Sequence, residues 1–190
     1  MKKIFVLILL CAISMNVSAQ DHLTFKGIPI DGHISTFVNK LKSLGFELEV
    51  MSDNFASVKG EFGGENCEIA IYATKTTKTT HQIIVILEKS DSWATLKHTY
   101  KEYKSLLATK YGEGDSFEHF SSPYYEGDGY EISALRNGKC GYKTTFNAAN
   151  GKVAIALLYA DKGVVALSYE DNTNCQIATR EEDNLRAGDL

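Results

Sequence analysis

The chain has 190 residues and a formal net charge of −4. This length fits one domain, or two small halves that share a core. A mildly acidic balance argues against nucleic acid and against anionic membrane surfaces as partners, because both require clustered Lys and Arg.

The first nineteen residues have the pattern of an export signal. Two lysines follow the initiating Met, residues 4–13 are apolar, and residues 17–19 are small. The apolar run is too short to span a bilayer as a stable helix. We therefore predict a signal peptide at 1–19 and cleavage between Ala19 and Gln20. The mature protein is expected in the periplasm or outside the cell, without stable membrane insertion.

Two segments have helical periodicity. The first helix is predicted at 33–44, where five apolar residues share one face: Ile34, Phe37, Val38, Leu41 and Leu44. The second is predicted at about 92–111, with its main apolar stripe formed by Trp93, Leu96, Tyr100, Tyr103 and Leu107. A glycine follows each segment as a stop signal, and we expect both stripes to pack in the core.

The other predicted elements are strands with period-two alternation. They are expected at 46–51, 56–62, 67–73, 82–88, 116–120, 130–136, 142–148, 152–159 and 164–169. Short turns such as Asn150-Gly151 separate them, which is typical of antiparallel hairpins.

The order of these elements indicates an internal repeat. The segment 62–73 can be laid on 136–147, which pairs Cys67 with Cys140. The predicted fold class is α+β, with two similar halves that each contain a helix followed by about four antiparallel strands, and with the helices packed on the sheet. We place the halves at 20–90 and 91–172, and a polar C-terminal tail at 173–190.

The mature sequence resembles a family of small exported proteins of Gram-negative bacteria that have no assigned function. The likeness covers nearly all of residues 22–170, and its most specific piece is the start LTFKGIPIDG, followed later by the helix SWATLKHTYKEYKSLLATKYG. The arrangement of helices and strands is also similar to the tandem α–β4 repeats of the β-lactamase inhibitor protein. That second likeness is topological and implies no activity.

Three cysteines remain after the predicted cleavage: Cys67, Cys140 and Cys175. There is no C-x-x-C pair, so neither a redox motif nor a zinc knuckle is indicated. We expect at most one disulfide and favour Cys140 with Cys175. Cys67 and Cys140 would hold equivalent places in different halves, whereas Cys175 follows the last strand and would fold back over the second half.

The segment 117–131 mixes aromatic and acidic residues and is the candidate binding site. Its predicted binding residues are His119, Tyr124, Tyr125 and Asp128. Aromatic rings edged by carboxylates can anchor a protein or stack on a glycan. The alternative is that the aromatic residues pack inward while the loop tip solvates its charges. The acidic spacing does not match a calcium loop.

No catalytic or cofactor motif is present. The five histidines lack the spacing of a zinc site, and no Walker loop, dinucleotide fingerprint or G-x-S-x-G occurs. We therefore expect no metal or cofactor, and a non-catalytic binding or inhibitory module. Two alternatives stay open: a small envelope hydrolase that uses scattered Ser, His and acidic residues, and a structural envelope component that self-associates through a sheet edge.

Overall fold

The computed structural model describes residues 21–188. The predicted signal peptide and its cleavage site lie outside the described residues. The elements in chain order are β1 (Thr24–Phe25), β2 (Ile28–Pro29), α1 (Ile34–Ser43), β3 (Glu47–Met51), β4 (Phe55–Phe62), β5 (Glu65–Ala73), β6 (Thr80–Ile86), α2 (Trp93–Tyr111), β7 (Asp115–Phe120), α3 (Glu131–Arg136), β8 (Cys140–Ala148), β9 (Gly151–Tyr159), β10 (Gly163–Asp171) and α4 (Asn172–Gly188).

Eight of the strands form one antiparallel sheet. Their order across the sheet is β3-β4-β5-β6-β10-β9-β8-β7, and β1 pairs with β2 in a separate hairpin. Hairpins join the neighbours within each group of four strands, except that β7 and β8 are separated by α3. The seam between the groups is the pairing of β6 with β10, in which Ile84 lies opposite Ser168. The predicted α+β class is confirmed.

Helices α1 and α2 pack on one face of this sheet through the apolar stripes that the sequence predicts, except that Leu44 of the first stripe is the C-cap of α1 and is exposed. His33 caps the start of α1 by accepting a hydrogen bond from the Ser35 backbone, and Ser92 caps α2 in the same way through Thr95. The stripe of α2 meets the alternate apolar residues of β8, β9 and β10. This face of the sheet therefore holds the core.

Trp93 lies at the rim of that core. Its ring is half-buried and packs edge-on against Phe120 and Tyr142, with centroid separations of 5.5 and 5.3 Å. The other members of the stripe, from Leu96 to Leu107, are buried. The sequence thus identifies the stripe correctly, with its first residue at the boundary with solvent.

Two segments differ from their predicted structure. The strand predicted at 130–136 is wrong, because this segment forms helix α3, which buries the adjacent residues Ala134 and Leu135. Adjacent buried residues fit one face of a helix but opposite faces of a strand. The segment predicted as a tail at 173–190 forms most of α4, which contacts β6, β9 and β10.

The start of the described chain and the start of α4 are held together by one carboxylate. Asp171 is buried and accepts hydrogen bonds from the backbone N–H groups of Leu23, at 2.8 Å, and Asn174, at 2.9 Å. The second bond is a helix N-cap. His22 lies between this carboxylate and Asp31, at 3.1 and 3.6 Å. The cluster therefore fixes α4 across one end of the sheet.

The alignment that pairs Cys67 with Cys140 does not match the strands. Cys67 is in β5, the third strand after α1, whereas Cys140 begins β8, the second strand after α2. Similar turn residues before each cysteine produce this incorrect match.

In residues 21–188, no helix is both long and apolar enough to cross a membrane.

Candidate functional site

The second face of the large sheet is the broadest candidate surface of the molecule. Side chains on this face alternate with the core residues of each strand, and α1, α2 and α3 pack on the opposite side. We call this surface the open face. Its centre consists of small and branched apolar residues on the four inner strands β5, β6, β10 and β9. Ala70 and Ala166 are buried among their neighbours, and the partly exposed members are Ile84, Ile86, Ala154 and Ala156.

One row of paired residues crosses the open face through all eight strands. In order from β3 to β7 it is Glu47, Lys59, Glu68, Ile86, Ala166, Ala156, Lys143 and Phe117. The row changes from charged to apolar and then to a lysine and an exposed aromatic ring. Its apolar centre is therefore bordered by opposite charges, Glu68 on one side and Lys143 on the other.

The charges that border the row differ in how they are paired. Lys59 forms an ion pair with Glu49 on the neighbouring strand, and this hydrogen bond raises the pKa of Lys59. Lys143 has no carboxylate within ion-pair distance among residues 21–188. The open face therefore presents an unpaired cation to solvent on its β8 side.

His119 lies at the far edge of the open face, on β7. Its ring is 4.4 Å from the ring of Phe117, measured between centroids, and Phe117 is 62% exposed. The ring of His119 lies above Gly141, where an added Cβ would stand 2.7 Å from its Cε1 atom. Its Nδ1 atom is buried and has no hydrogen-bond partner within the described part of the chain. Glycine at 141 makes this close approach possible.

The other three predicted site residues lie in the loop after β7. Asp128 holds the loop by accepting backbone hydrogen bonds from Tyr125 and Tyr130, at 3.1 and 2.7 Å. The hydroxyl of Tyr124 accepts a hydrogen bond from Asn137 at 3.1 Å, and its ring packs against the core. Tyr125, by contrast, is 65% exposed. Asp128 and Tyr124 thus order the loop, whereas Tyr125 is presented to solvent.

The structure does not bring all four predicted residues into one site. Asp128 accepts a hydrogen bond from Tyr125, but no hydrogen bond, ion pair or ring contact joins His119 to the loop tyrosines or to Asp128 among the described residues. The loop is instead tied to α2 and β8, where Glu126 pairs with Lys97 and accepts a hydrogen bond from the Tyr142 hydroxyl at 3.3 Å. The tip of the loop and the β7 edge are two separate features.

The predicted disulfide between Cys140 and Cys175 is wrong, because all three described cysteines are free. Cys175 lies beside β6, and β10 and β9 separate β6 from β8. Three strand spacings correspond to roughly 14 Å, which is about twice the Cα separation that a disulfide allows. The polar sequence of α4 concealed the helix that carries Cys175 to this position.

Cys175 and His81 form the one cysteine–histidine pair seen in residues 21–188. The Sγ atom is 3.7 Å from the His81 Nδ1 atom and 3.5 Å from its carbonyl oxygen. Burial raises the pKa of the Cys175 thiol to about 11 and lowers the pKa of His81. Both groups are therefore neutral near pH 7, and this pairing does not generate a thiolate nucleophile.

The pair borders a pocket of about 390 Å³ between α4 and the end of the open face. Tyr72, Gln82 and Glu170 line its sheet side, and the Gln82 amide donates a hydrogen bond to Glu170 at 2.9 Å. No group of three or more His, Cys, Asp or Glu side chains within residues 21–188 could hold a metal ion.

Comparisons with protein-family models, with curated proteins and with solved structures found no match.

Proposed function

We propose that this chain is a non-catalytic binding or inhibitory protein that holds a partner protein on the open face of its sheet. The observation that supports this most directly is the row from Glu47 to Phe117, in which an apolar centre lies between an acidic and a basic border. Opposite charges on the two sides favour one orientation of a bound partner. The apolar centre loses its contact with water when the partner binds, which favours association.

The extent of the open face is close to that of such an interface. At usual strand spacings, the row is roughly 34 Å long and the strands extend about 25 Å, so the whole sheet face covers roughly 850 Å², and α4 lies over one end of it. A protein partner of standard size buries about 800 Å² on each side. A glycan would need polar groups at the centre of the binding surface. The centre of this face is apolar, so we favour a protein.

A pull-down from native extracts tests this proposal, with the mature chain as bait. Ala156→Glu places a charged side chain at the centre of the row, where Ala156 is partly exposed and projects away from the core. Ala94→Glu makes the same change on the exposed side of α2 and is the matched control. Circular dichroism would verify that both variants fold.

We expect a partner that the wild type and Ala94→Glu retain and that Ala156→Glu loses. Capture that is equal for all three chains would overturn the assignment of the open face. A substrate turned over by the purified chain, with no partner bound, would overturn the non-catalytic proposal in favour of the hydrolase alternative.

A second candidate function is self-association through β3, which is an edge strand of the sheet. Three apolar side chains of this strand, Leu48, Val50 and Met51, are 41–50% exposed. An edge with free backbone groups and apolar side chains can pair with another copy. Light scattering at increasing concentration would detect this association, and Val50→Lys would abolish it. A monomer at all concentrations would rule it out.

We also propose that the mature chain is exported and consists of two α–β4 halves. The leader pattern at 1–19 supports export, and the intact mass of the native protein would reveal cleavage before Gln20. The sheet order supports the halves, since β3 to β6 and β7 to β10 occupy mirrored positions about the seam, and each group follows a helix, α1 or α2.

A further inference from the structure

A second pocket lies on the helix side of the sheet, away from the open face. Its volume is about 290 Å³, and it is enclosed by the β1–β2 hairpin, the second half of α2 and the end of β10. Most of its lining is apolar. The main lining side chains are Phe25, Phe62, Tyr103, Leu106, Leu107 and Leu167.

Three aromatic rings form one wall of this pocket. Phe62 lies between Phe25 and Tyr103, with centroid separations of 5.7 and 6.0 Å and nearly parallel ring planes. The Tyr103 hydroxyl donates a hydrogen bond to the Phe62 carbonyl at 3.1 Å, which fixes the stack. Three residues after Tyr103 on α2, Leu106 also lines the pocket and is 58% exposed, so the pocket opens to solvent beside an apolar side chain.

A hydroxyl group without a protein partner is available in this lining. Tyr169 is 5% exposed and lines the pocket, and its ring packs edge-on against Phe25. Within residues 21–188 no donor or acceptor pairs with its hydroxyl group, although Tyr100 and Tyr103 both have partners. A polar group of a ligand in the pocket can therefore form a hydrogen bond with this hydroxyl in place of water.

Two lysines add positive charge to the pocket. Lys26 and Lys110 both line it, and neither has a carboxylate within ion-pair distance in the described part of the chain. The Lys26 ammonium lies 5.7 Å from the centre of the Phe62 ring and donates to the Glu61 carbonyl at 3.4 Å. The Lys110 ammonium lies 4.9 Å from the centre of the Tyr111 ring. Both cations are therefore free to pair with an anion.

We propose that this pocket binds a small hydrophobic carboxylate, whose apolar part lies against the aromatic wall and whose carboxylate meets Lys26, Lys110 and the Tyr169 hydroxyl. The apolar lining accounts for the body of such a ligand, and the two unpaired lysines account for its charge. A phosphate-bearing ligand is less suitable, because the lining offers few donors besides these three groups.

Binding can be measured with octanoate as the probe, and with 1-octanol as its uncharged counterpart. Chemical shifts of ¹³C-labelled leucine methyl groups would locate the ligand, since Leu106, Leu107 and Leu167 line the pocket. We expect saturable shifts at these three residues with octanoate, and weaker binding of octanol.

Three variants test the role of the polar groups. Replacing both Lys26 and Lys110 with Gln should weaken octanoate binding about tenfold, because two charge-assisted contacts are lost. The matched control replaces two exposed lysines that the pocket does not contain, Lys42→Gln with Lys139→Gln, and should leave affinity unchanged. Tyr169→Phe keeps the ring and should weaken binding a few-fold.

Two results would overturn this inference. One is the absence of saturable shifts at the pocket leucines. The other is equal affinity for octanoate and octanol without an effect of the lysine changes, which would mean that the pocket does not recognise an anion. Neither result bears on the open face, which the pull-down tests separately.

Discussion

The hydroxyl groups of Tyr100 and Thr144 lie 2.7 Å apart at the boundary between α2 and β8. Both side chains are completely buried, and burial raises the pKa of Tyr100 to about 12. The Tyr100 hydroxyl also lies 3.2 Å from Glu118, and Thr144 lies 2.9 Å from the Ser116 hydroxyl. A small polar network therefore connects α2 to β7 and β8, the two strands at one edge of the sheet.

Tyr100→Phe should destabilise the protein by about 1–2 kcal/mol, because Thr144 loses a partner while the ring stays in place. Urea unfolding measures this change. Tyr125→Phe is the control, since Tyr125 is 65% exposed and its loss of a hydroxyl should have almost no effect. Equal effects of the two changes would show that the buried pair contributes nothing.

Trp93→Ala should lower the free energy of unfolding by about 3 kcal/mol, since it removes the edge-on contacts with Phe120 and Tyr142 and leaves a gap at the rim of the core. The half-buried position of Trp93 places the effect at the low end of the usual range. Denaturant midpoints at constant m-value provide the measurement. A loss below about 1 kcal/mol would assign Trp93 to a binding surface instead.

The two loop tyrosines should respond differently to truncation. Tyr124→Ala should cost about 1–2 kcal/mol, because it removes a ring packed on the core and leaves the Asn137 amide without its partner. Tyr125→Ala should cost less than about 0.5 kcal/mol. The melting temperatures of the two single variants show which tyrosine is packed on the core and which is exposed. Similar losses for both would mean that the loop packs inward at both positions.

Asp171→Ala should destabilise the protein by about 2–3 kcal/mol, because it removes a helix cap and a buried acceptor of two backbone N–H groups. Hydrogen exchange should locate the loss in α4 and in the segment around Leu23. Asp161→Ala removes an exposed carboxylate that pairs with Lys89, away from α4, and is the control. Unchanged hydrogen exchange in α4 would contradict the proposal that Asp171 holds α4 in place.

The thiols should label slowly at neutral pH, with Cys175 reacting before Cys67 and Cys140, which are more deeply buried. Burial raises the pKa of each thiol to about 11 from an ordinary value of 9.0. A raised thiol pKa contributes stability below pH 9 that is lost as the pH rises from 9 towards 11. Iodoacetamide labelling with peptide mapping, and unfolding across this range, test both statements. Fast labelling of Cys67 would contradict them.

The sequence predicts most of the strands and the helices α1 and α2 well because their patterns are local. Alternation of buried residues, as from Val153 to Leu157, follows from one covered face. In α3, Ile132 and Ala134 also alternate over six residues, which is too short a segment to separate a strand from a helix. α4 buries only Asn174, so its sequence contains no apolar stripe to detect.

The candidate site is less accessible to sequence analysis, because it depends on which strands become neighbours. Ala156, Ala166 and Ile86 come from three strands that only the register places in one row. The same limit applies to the small pocket, which joins Phe25 near the start of the mature chain to Tyr169 near its end. The loop after β7 was visible in the sequence because its unusual residues are contiguous.

The seam between β6 and β10 has a consequence for how the protein is made. Strand β6 lies well before β10 in the chain, so a chain that has reached its folding compartment only in part has a sheet edge that β10 cannot cover until residue 171 has arrived. Closing so large a loop is slow, and an exposed edge can pair with other chains meanwhile. Truncation anywhere before the end of β10 should therefore yield an aggregating fragment rather than a smaller folded domain.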